Sequence, residues 1–362
     1  MKRAFLWLTA SAALTWAIVR VAPQTLPHIE SGFELAYKWP NADLPDTYAF
    51  MRHSPLGPWV VQLVGVPNPT SYVLLHVVVI ALALAGMSAW VVTAIPKSGN
   101  RFTAFRFLAL GPIVAVLVTG IGSYDPWSLL ALSLVLWAWR SRNKWAITAS
   151  GIPLGLQHFE QGLVALVALA VVYRFADLPL PRSLKDLPSI LWSLIGMAIG
   201  KLVLLIALQL NGVDPFAGRS LYLLDAELLK TALTSSANYF PILFYSLFAG
   251  LWALVVFTVT RRQSLRQQGV LIAVIGSLFL FSAVTLDHTR VFSLIALPLV
   301  ALLIVAVSSS TSRRDQQMLR VVEGVAWLAV PILVLTNPDG ETYLTPLNAL
   351  DHWIMFIQGW LI

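Results

Sequence analysis

The chain alternates long apolar runs with short polar connections. Apolar runs of helical length lie near residues 4–22, 70–95, 107–123, 126–141, 145–157, 159–176, 188–210, 240–260, 268–286, 291–308 and 319–336. An apolar helix of about 20 residues spans the hydrocarbon core of a bilayer. The pattern therefore predicts an all-α, multi-pass membrane protein with about 11 transmembrane helices.

The polar segments divide this single transmembrane domain, 1–362, into spans and loops. Residues 23–58 form a large first loop whose many aromatic residues indicate a folded segment, since disordered tethers are poor in aromatics. A second large loop covers residues 211–239. Both are expected on the extracytoplasmic side, together with residues 337–362, which form a tail or an interfacial helix.

Composition narrows the chemistry that this protein can perform. Hydrophobic residues make up 58% of the 362 residues and charged residues 11%, whereas soluble domains carry about 25% charged residues. The chain has no cysteine, which excludes disulfides, thiolate metal sites and a cysteine nucleophile.

Charge is distributed unevenly between alternate connections. If Lys2 and Arg3 are cytoplasmic, the connections on their side hold most of the 24 basic residues and few of the 17 acids. Cytoplasmic loops are enriched in Lys and Arg, so the net charge of +7 reflects topology and gives no support for nucleic-acid binding. Short connections and the lack of an Asn-x-Ser/Thr acceptor other than Asn68-Pro69-Thr70 favour the cytoplasmic membrane of a bacterium.

The same charge pattern resolves residues 145–176 into two helices. A single helix of this length would measure roughly 48 Å, against about 30 Å of hydrocarbon. One crossing would also place Arg174, Arg182 and Lys185 on the side with few basic residues. Two short helices that meet at 156–160 on the outer side satisfy both constraints.

The first loop carries the candidates for a catalytic base. Asp43 and Asp46 lie in ADLPDTYAF, close to Tyr48 and His53. A carboxylate at the membrane surface can take a proton from an attacking hydroxyl. The alternative is a solvated loop acid or, for Asp46, a helix cap.

Two further outer turns supply candidate substrate contacts. Asp125 precedes Pro126, a pair that is typical of the start of a helix. Asp125 therefore either caps this helix or lines the site. His158 and Glu160 lie at the junction of the two short helices. Polar residues at membrane depth are costly unless they are paired or hydrated, which makes both of them functional candidates.

Asp287, His288 and Arg290 form the sharpest cluster, between two apolar runs. Arg holds phosphate well, and His can share that role; Arg219 of the second loop is a further cation for the same ligand. The alternative is an Asp287–Arg290 ion pair that ends two helices. No His-x₃-His or His-Glu-x-x-His spacing occurs, so a metal site is not expected, the alternative being a divalent ion held loosely by carboxylates. No cofactor is expected either.

The order of these features resembles the GT-C-type glycosyltransferases, multi-span enzymes that use polyprenyl-phosphate sugars as donors. The resemblance rests on DTYAFMRHSPLGP in the first loop, SYDPWSLLALSLVLWAW, GIPLGLQHFEQGLVAL and LDHTRVFSLIALPLVALL. It implies a GT-C-like bundle with Asp46, or Asp43, as the base. It also implies that Arg290 and His288 bind the donor phosphate and that Asp125 and His158 line the sugar or acceptor site.

By this resemblance the protein is an inverting glycosyltransferase that acts on the extracytoplasmic face. Its donor would be a lipid-linked sugar, and its acceptor would be a hydroxyl of a lipid or of a lipid-linked glycan. The enzyme is expected to be a monomer surrounded by membrane lipids. The chain lacks the soluble C-terminal domain of larger members, so loops must recognise the acceptor. The alternatives are a transporter or flippase of lipid-linked saccharides, an O-antigen-type polymerase or ligase, and a non-enzymatic scaffold. The ionisable residues in mid-span are few: His76 is expected to pack or hydrogen-bond inside the bundle, and Lys201 to snorkel or to pair.

The charge pattern predicts which connections are accessible from outside the cell. In a chain without cysteines, Asp214→Cys should react with a membrane-impermeant maleimide in intact cells, whereas Arg142→Cys should react only after permeabilisation. Reaction of the cysteine at position 142 in intact cells would contradict the topology.

Overall fold

The computed structural model describes residues 2–19, 28–42, 51–96, 98–176, 178, 187–215, 225–261, 264–337, 339–344, 353–354 and 357–359. The helices are α1 (Lys2–Val19), α2 (His28–Lys38), α3 (Leu56–Val64), α4 (Pro69–Ala94), α5 (Arg101–Leu110), α6 (Pro112–Thr119), α7 (Asp125–Ala138), α8 (Lys144–Phe175), α9 (Leu187–Leu210), α10 (Ala226–Asn238), α11 (Phe240–Phe248), α12 (Trp252–Thr260), α13 (Leu265–Ala283), α14 (His288–Ser308) and α15 (Arg313–Leu328). The strands β1 (Val334–Thr336) and β2 (Thr342–Leu344) pair antiparallel.

Long apolar helices confirm a multi-pass, all-α membrane protein. Within the described residues six helices are long and apolar enough to span a bilayer, or seven if the bent pair α5–α6 counts as one. They include α4, α8, α9, α13, α14 and the joined α11–α12. The count falls short of the predicted eleven, because several apolar runs form helices that are short or bent and because α8, which covers two predicted spans, counts as one.

The bend between α5 and α6 lies inside the predicted span 107–123. The two helices differ in direction by 46°. Proline disfavours a helical conformation in the residue before it, and Gly111, which precedes Pro112, has an extended backbone with ψ 160°. One apolar run therefore gives two short helices.

The predicted helix over residues 319–336 is wrong in its C-terminal part, because helix α15 ends at Leu328. Ala329 is extended with ψ 130°, and the chain then enters strand β1. Pro331 explains the break, since it lacks a backbone N–H and biases the residue before it towards an extended conformation. The amide of Val334 donates instead to Thr289 Oγ1 of α14, at 3.0 Å.

Helix α8 folds back on itself, which confirms the predicted pair of short helices. The backbone leaves helical geometry at His158, with φ −158° and ψ 68°, inside the predicted junction 156–160. The rings of Trp139, before α8, and Tyr173, near its end, are 6.5 Å apart between centroids. A straight helix of this length would separate its ends by roughly 48 Å.

The first half of α8 runs parallel to α9 with the two backbones in contact. A Cβ atom on Gly155 would lie 2.0 Å from the carbonyl oxygen of Met197, and one on Gly196 would lie 1.9 Å from that of Thr148. Small residues allow helices in a membrane to approach this closely. The close packing fixes the height of the α8 hairpin apex, residues 156–160, against α9.

The bundle has two chemically different ends. Arg266 at the start of α13 lies over the ring of Phe175 at the end of α8, and Arg261 pairs with Asp315. We call this the basic end. The opposite end, called the loop end, holds the hairpin apex, the first turns of α7 and α14, and α2. The assignment of these two ends to membrane sides remains a prediction.

The glycine contact predicts a stability difference between two α-helical glycines. Gly155→Leu should destabilise the protein by about 3 kcal/mol, the upper range for overpacked cores, because the side chain would meet the backbone of α9. Gly276→Leu is the control, since no atom lies within 4 Å of a Cβ built there. Unfolding titrations in bicelles measure both, and equal destabilisation would contradict the packing.

Candidate functional site

The candidate site is an ion cluster at the loop end, centred on Arg290 in the first turn of α14. Arg290 Nη2 donates to Tyr124 Oη at 2.6 Å and to the carboxylate of Asp287. Arg290 Nε lies 3.4 Å from Asp125 Oδ2. We call Tyr124, Asp125, Asp287 and Arg290 the Arg290 cluster.

Burial sets the electrostatics of the Arg290 cluster. Asp125 is 0% exposed and Arg290 8% exposed, whereas the Asp287 side chain is 32% exposed at the mouth of the cluster. Two carboxylates face one guanidinium, so the three side chains carry a net charge of −1 when ionised. No described residue accepts a hydrogen bond from Arg290 Nη1.

Neither carboxylate of the cluster is used as a helix cap. Tyr124, and not Asp125, is the N-cap residue of α7, and Asp287 is the N-cap residue of α14; neither helix has a side-chain cap hydrogen bond. Ser123 Oγ lies 3.3 Å from Asp125 Oδ2 and donates to it. The capping alternative for Asp125 is therefore wrong, and the predicted Asp287–Arg290 ion pair is present as part of a larger cluster.

The hairpin apex brings His158 against the cluster, as the sequence suggested. Its ring lies 5.2 Å from the Tyr124 ring, between centroids, and the residue is 4% exposed. Glu160, predicted beside it, pairs instead with Lys201 of α9 at 2.8 Å. The expectation that Lys201 pairs is thus confirmed.

His76 also behaves as predicted, as a packed residue inside the bundle. Its Nε2 accepts a hydrogen bond from Trp127 Nε1 at 3.4 Å. Its ring lies 4.4 Å from that of Tyr72, and the residue is 1% exposed.

His288 has a different environment from Arg290, although only two residues separate them. Its Nδ1 lies 3.2 Å from the carbonyl oxygen of Ser282, and its Nε2 lies 3.5 Å from Thr336 Oγ1 of β1. The residue is 0% exposed. Both ring nitrogens thus contact protein groups that tie the β-hairpin to α14, which favours a structural role over phosphate binding.

The first loop reaches the site through residues 51–56. His53 is buried, at 6% exposure. Arg52 Nη2 donates to the carbonyl oxygen of Ala42 at 2.8 Å, and Trp39 Nε1 donates to that of Arg52 at 2.9 Å. The predicted residues Asp43, Asp46, Tyr48 and Arg219 lie outside the described residues.

Sequence reasoning did not select Tyr124 and Gln157 as site residues, although they adjoin the predicted Asp125 and His158. Gln157 is 0% exposed, and its Nε2 donates to the carbonyl oxygen of Tyr124 at 3.1 Å. A buried side-chain amide in an apolar helix needs hydrogen-bond partners. This requirement is the feature of the sequence that could have identified Gln157. No sequence pattern identifies the phenol of Tyr124 as a partner of a residue 166 positions away.

Space near the cluster lies beside the hairpin apex. A small pocket there is lined by residues that include Ser128, His158, Gln161 and Leu294. Gln161 Oε1 is buried, and no described residue donates a hydrogen bond to it. Among the described residues, no three His, Asp or Glu side chains converge in a way that could hold a metal ion.

Comparison of the chain with models of protein families gives no match, and neither do comparisons with curated proteins or with solved structures.

The ion cluster predicts a strong dependence of stability on Arg290. Arg290→Met should destabilise the protein by about 3–5 kcal/mol, the usual cost of removing one partner of a buried ion pair. Lys38→Met is the matched control, because its pair with Glu34 is exposed and should be worth about 0–1 kcal/mol. Adding Asp125→Asn to Arg290→Met should recover part of the loss in unfolding titrations. A double variant no more stable than Arg290→Met alone would contradict the pairing.

Proposed function

We propose that this protein is a membrane glycosyltransferase that moves a sugar from a polyprenyl-phosphate donor to a hydroxyl of a lipid- or glycan-linked acceptor. The reaction inverts the anomeric carbon and takes place at the loop end, on the extracytoplasmic face. The observation that supports it best is the buried Arg290, which is held by two carboxylates and a phenol through Nε and Nη2.

The Arg290 cluster suits the stabilisation of a departing phosphate. Asp125 and Tyr124 fix the guanidinium in a mostly buried site, and such preorganised donors stabilise the charge that develops in a transition state. Nη1 is the nitrogen that would meet a phosphate oxygen. A hydrogen bond from Nη1 strengthens as negative charge builds on the leaving oxygen, and an interaction that is stronger in the transition state than in the ground state speeds the reaction.

The base in this proposal is Asp46, with Asp43 as its alternative. Its carboxylate accepts the proton of the acceptor hydroxyl as that oxygen forms a bond to the anomeric carbon. The bond from this carbon to the phosphate oxygen breaks, and its electron pair leaves with the polyprenyl phosphate. The phosphate needs no proton from a general acid, because it is a good leaving group.

The mid-span ionisable groups weigh against the transport alternative. A transporter needs polar groups along a path through the membrane. In the described parts of the spans, His76 is packed between aromatic rings and Lys201 is paired with Glu160. A polymerase or ligase of lipid-linked glycans shares the proposed chemistry and differs in its acceptor.

The test is a transfer assay in proteoliposomes with radiolabelled polyprenyl-phosphate sugars and a lipid extract as acceptor. Asp46→Asn should lower the rate by about 10²–10⁴-fold, the usual contribution of a general base. Glu34→Gln is the matched control, since this first-loop acid is exposed and pairs with Lys38. Its rate should stay at the wild-type value.

Three outcomes would contradict the proposal or its details. Absence of transfer from any donor, with movement of lipid-linked saccharide across the vesicle, would indicate a transporter. Transfer that occurs only onto a lipid-linked glycan chain, in repeated steps, would indicate a polymerase. Full activity of Asp46→Asn and Asp43→Asn together would remove the first-loop base.

A further inference from the structure

Gln157 uses both ends of its side-chain amide. Its Oε1 accepts a hydrogen bond from the backbone N–H of Leu56 at 3.1 Å. Its Nε2 donates to the backbone carbonyl oxygen of Tyr124 at 3.1 Å. The side chain thus connects the first loop to the residue that contacts Arg290.

The backbone of Gln157 adds a third bond to the same loop. Ser54 Oγ donates to the carbonyl oxygen of Gln157 at 3.0 Å. The helix breaks at the next residue, His158, and a carbonyl at a break needs a partner when it is buried. The first loop therefore closes the hairpin apex while the apex holds the loop.

Few residue types can make the side-chain bridge. A backbone N–H must meet an acceptor and a backbone carbonyl must meet a donor, and among uncharged side chains the amide of Gln or Asn offers both in a fixed geometry. An apolar side chain at this position would remove the acceptor of the partly buried Leu56 N–H, which is costly. It would also remove one of the hydrogen bonds to the Tyr124 carbonyl, which accepts from Ser128 as well.

Tyr124 transmits this bridge to the ion cluster. Its Oη accepts the hydrogen bond from Arg290 Nη2 at 2.6 Å, and its ring lies 5.2 Å from the guanidinium carbon. We infer that Gln157 is the positioning residue that holds first-loop residues 51–56 in register with the Tyr124–Arg290 pair. The inference rests on the proposed function, because it gives Gln157 a role in the geometry of the reaction as well as in stability.

A purely structural role for Gln157 makes a different prediction. It would lower stability without a specific effect on the loop or on turnover. The two roles are therefore distinguished by measuring the position of the loop and the kinetic constants of folded protein.

The position of the loop can be followed with one cysteine, because the chain has none of its own. Met51→Cys places the thiol at a buried position, 3% exposed, packed with Leu35 and Tyr124. In this background Gln157→Met should raise the rate of maleimide labelling by roughly tenfold or more, because one buried and one partly buried hydrogen bond are lost.

The matched control is Gln62→Met in the same background. Gln62 Nε2 donates to the carbonyl oxygen of Ala36 at 3.0 Å, so this change also removes a first-loop hydrogen bond but does not touch Tyr124. Its labelling rate should stay within about twofold of the parent, since Gln62 makes one partly buried hydrogen bond and one exposed contact at 3.5 Å, to the Tyr37 carbonyl, and no hydrogen bond to the Arg290 cluster. Equal labelling of the Gln157→Met variant and the parent, or of the two Met variants, would overturn the inference.

The transfer assay gives the second measurement, without the cysteine. Gln157→Met should lower kcat by about 100-fold, the order expected when a distant change misplaces reacting groups by about 1 Å, and leave the KM for the donor nearly unchanged. An unchanged kcat together with faster labelling would show that the loop is held for stability alone, and it would overturn the catalytic part. If no donor is turned over, the proposed function fails, while labelling still decides whether Gln157 holds the loop.

Discussion

The arrangement of the loop end depends on the burial of a guanidinium at the tip of an apolar helix. Arg290 can lie there only because Asp125 and Asp287 compensate its charge and Tyr124 accepts a further hydrogen bond. An unpaired charge in such a place would cost several kcal/mol. The first turns of α7 and α14 must therefore meet, and they bring two distant parts of the sequence into one site.

A second constraint, the pairing of backbone groups, explains where helices are interrupted. Irregular backbone at membrane depth is tolerated only where protein or water supplies partners. At the hairpin apex, Ser54 supplies the partner of the Gln157 carbonyl. Beyond α15, Tyr245 Oη donates to the carbonyl oxygen of Val330 at 2.8 Å, and Thr289 accepts from the amide of Val334. Each interruption thus recruits a side chain from another element.

Apolar run length and charge placement were sufficient to predict the membrane class and the fold-back near His158. They were insufficient for the count of spans, because prolines at 112 and 331 break apolar runs that hydropathy alone treats as continuous. For the site, Asp125, His158, Asp287 and Arg290 were identified from their positions, and the structure brings them together with Tyr124. Glu160 and His288 were assigned to the same site but contact Lys201 and the β-hairpin, since sequence spacing carries no information on long-range partners.

Helix α14 has every residue buried, although it is among the most apolar helices of the chain. Its hydrophobicity therefore serves its entry into the bilayer, while in the finished bundle its neighbours are helices rather than lipid. Synthesis delivers α14 after α4, α7 and α8 are already present. During biogenesis the space that α14 occupies between the earlier helices must consequently remain unoccupied until α14 inserts. The ion pair between Arg290 and Asp125 can form only after that insertion. Completion of the site is thus coupled to the final steps of assembly in the membrane.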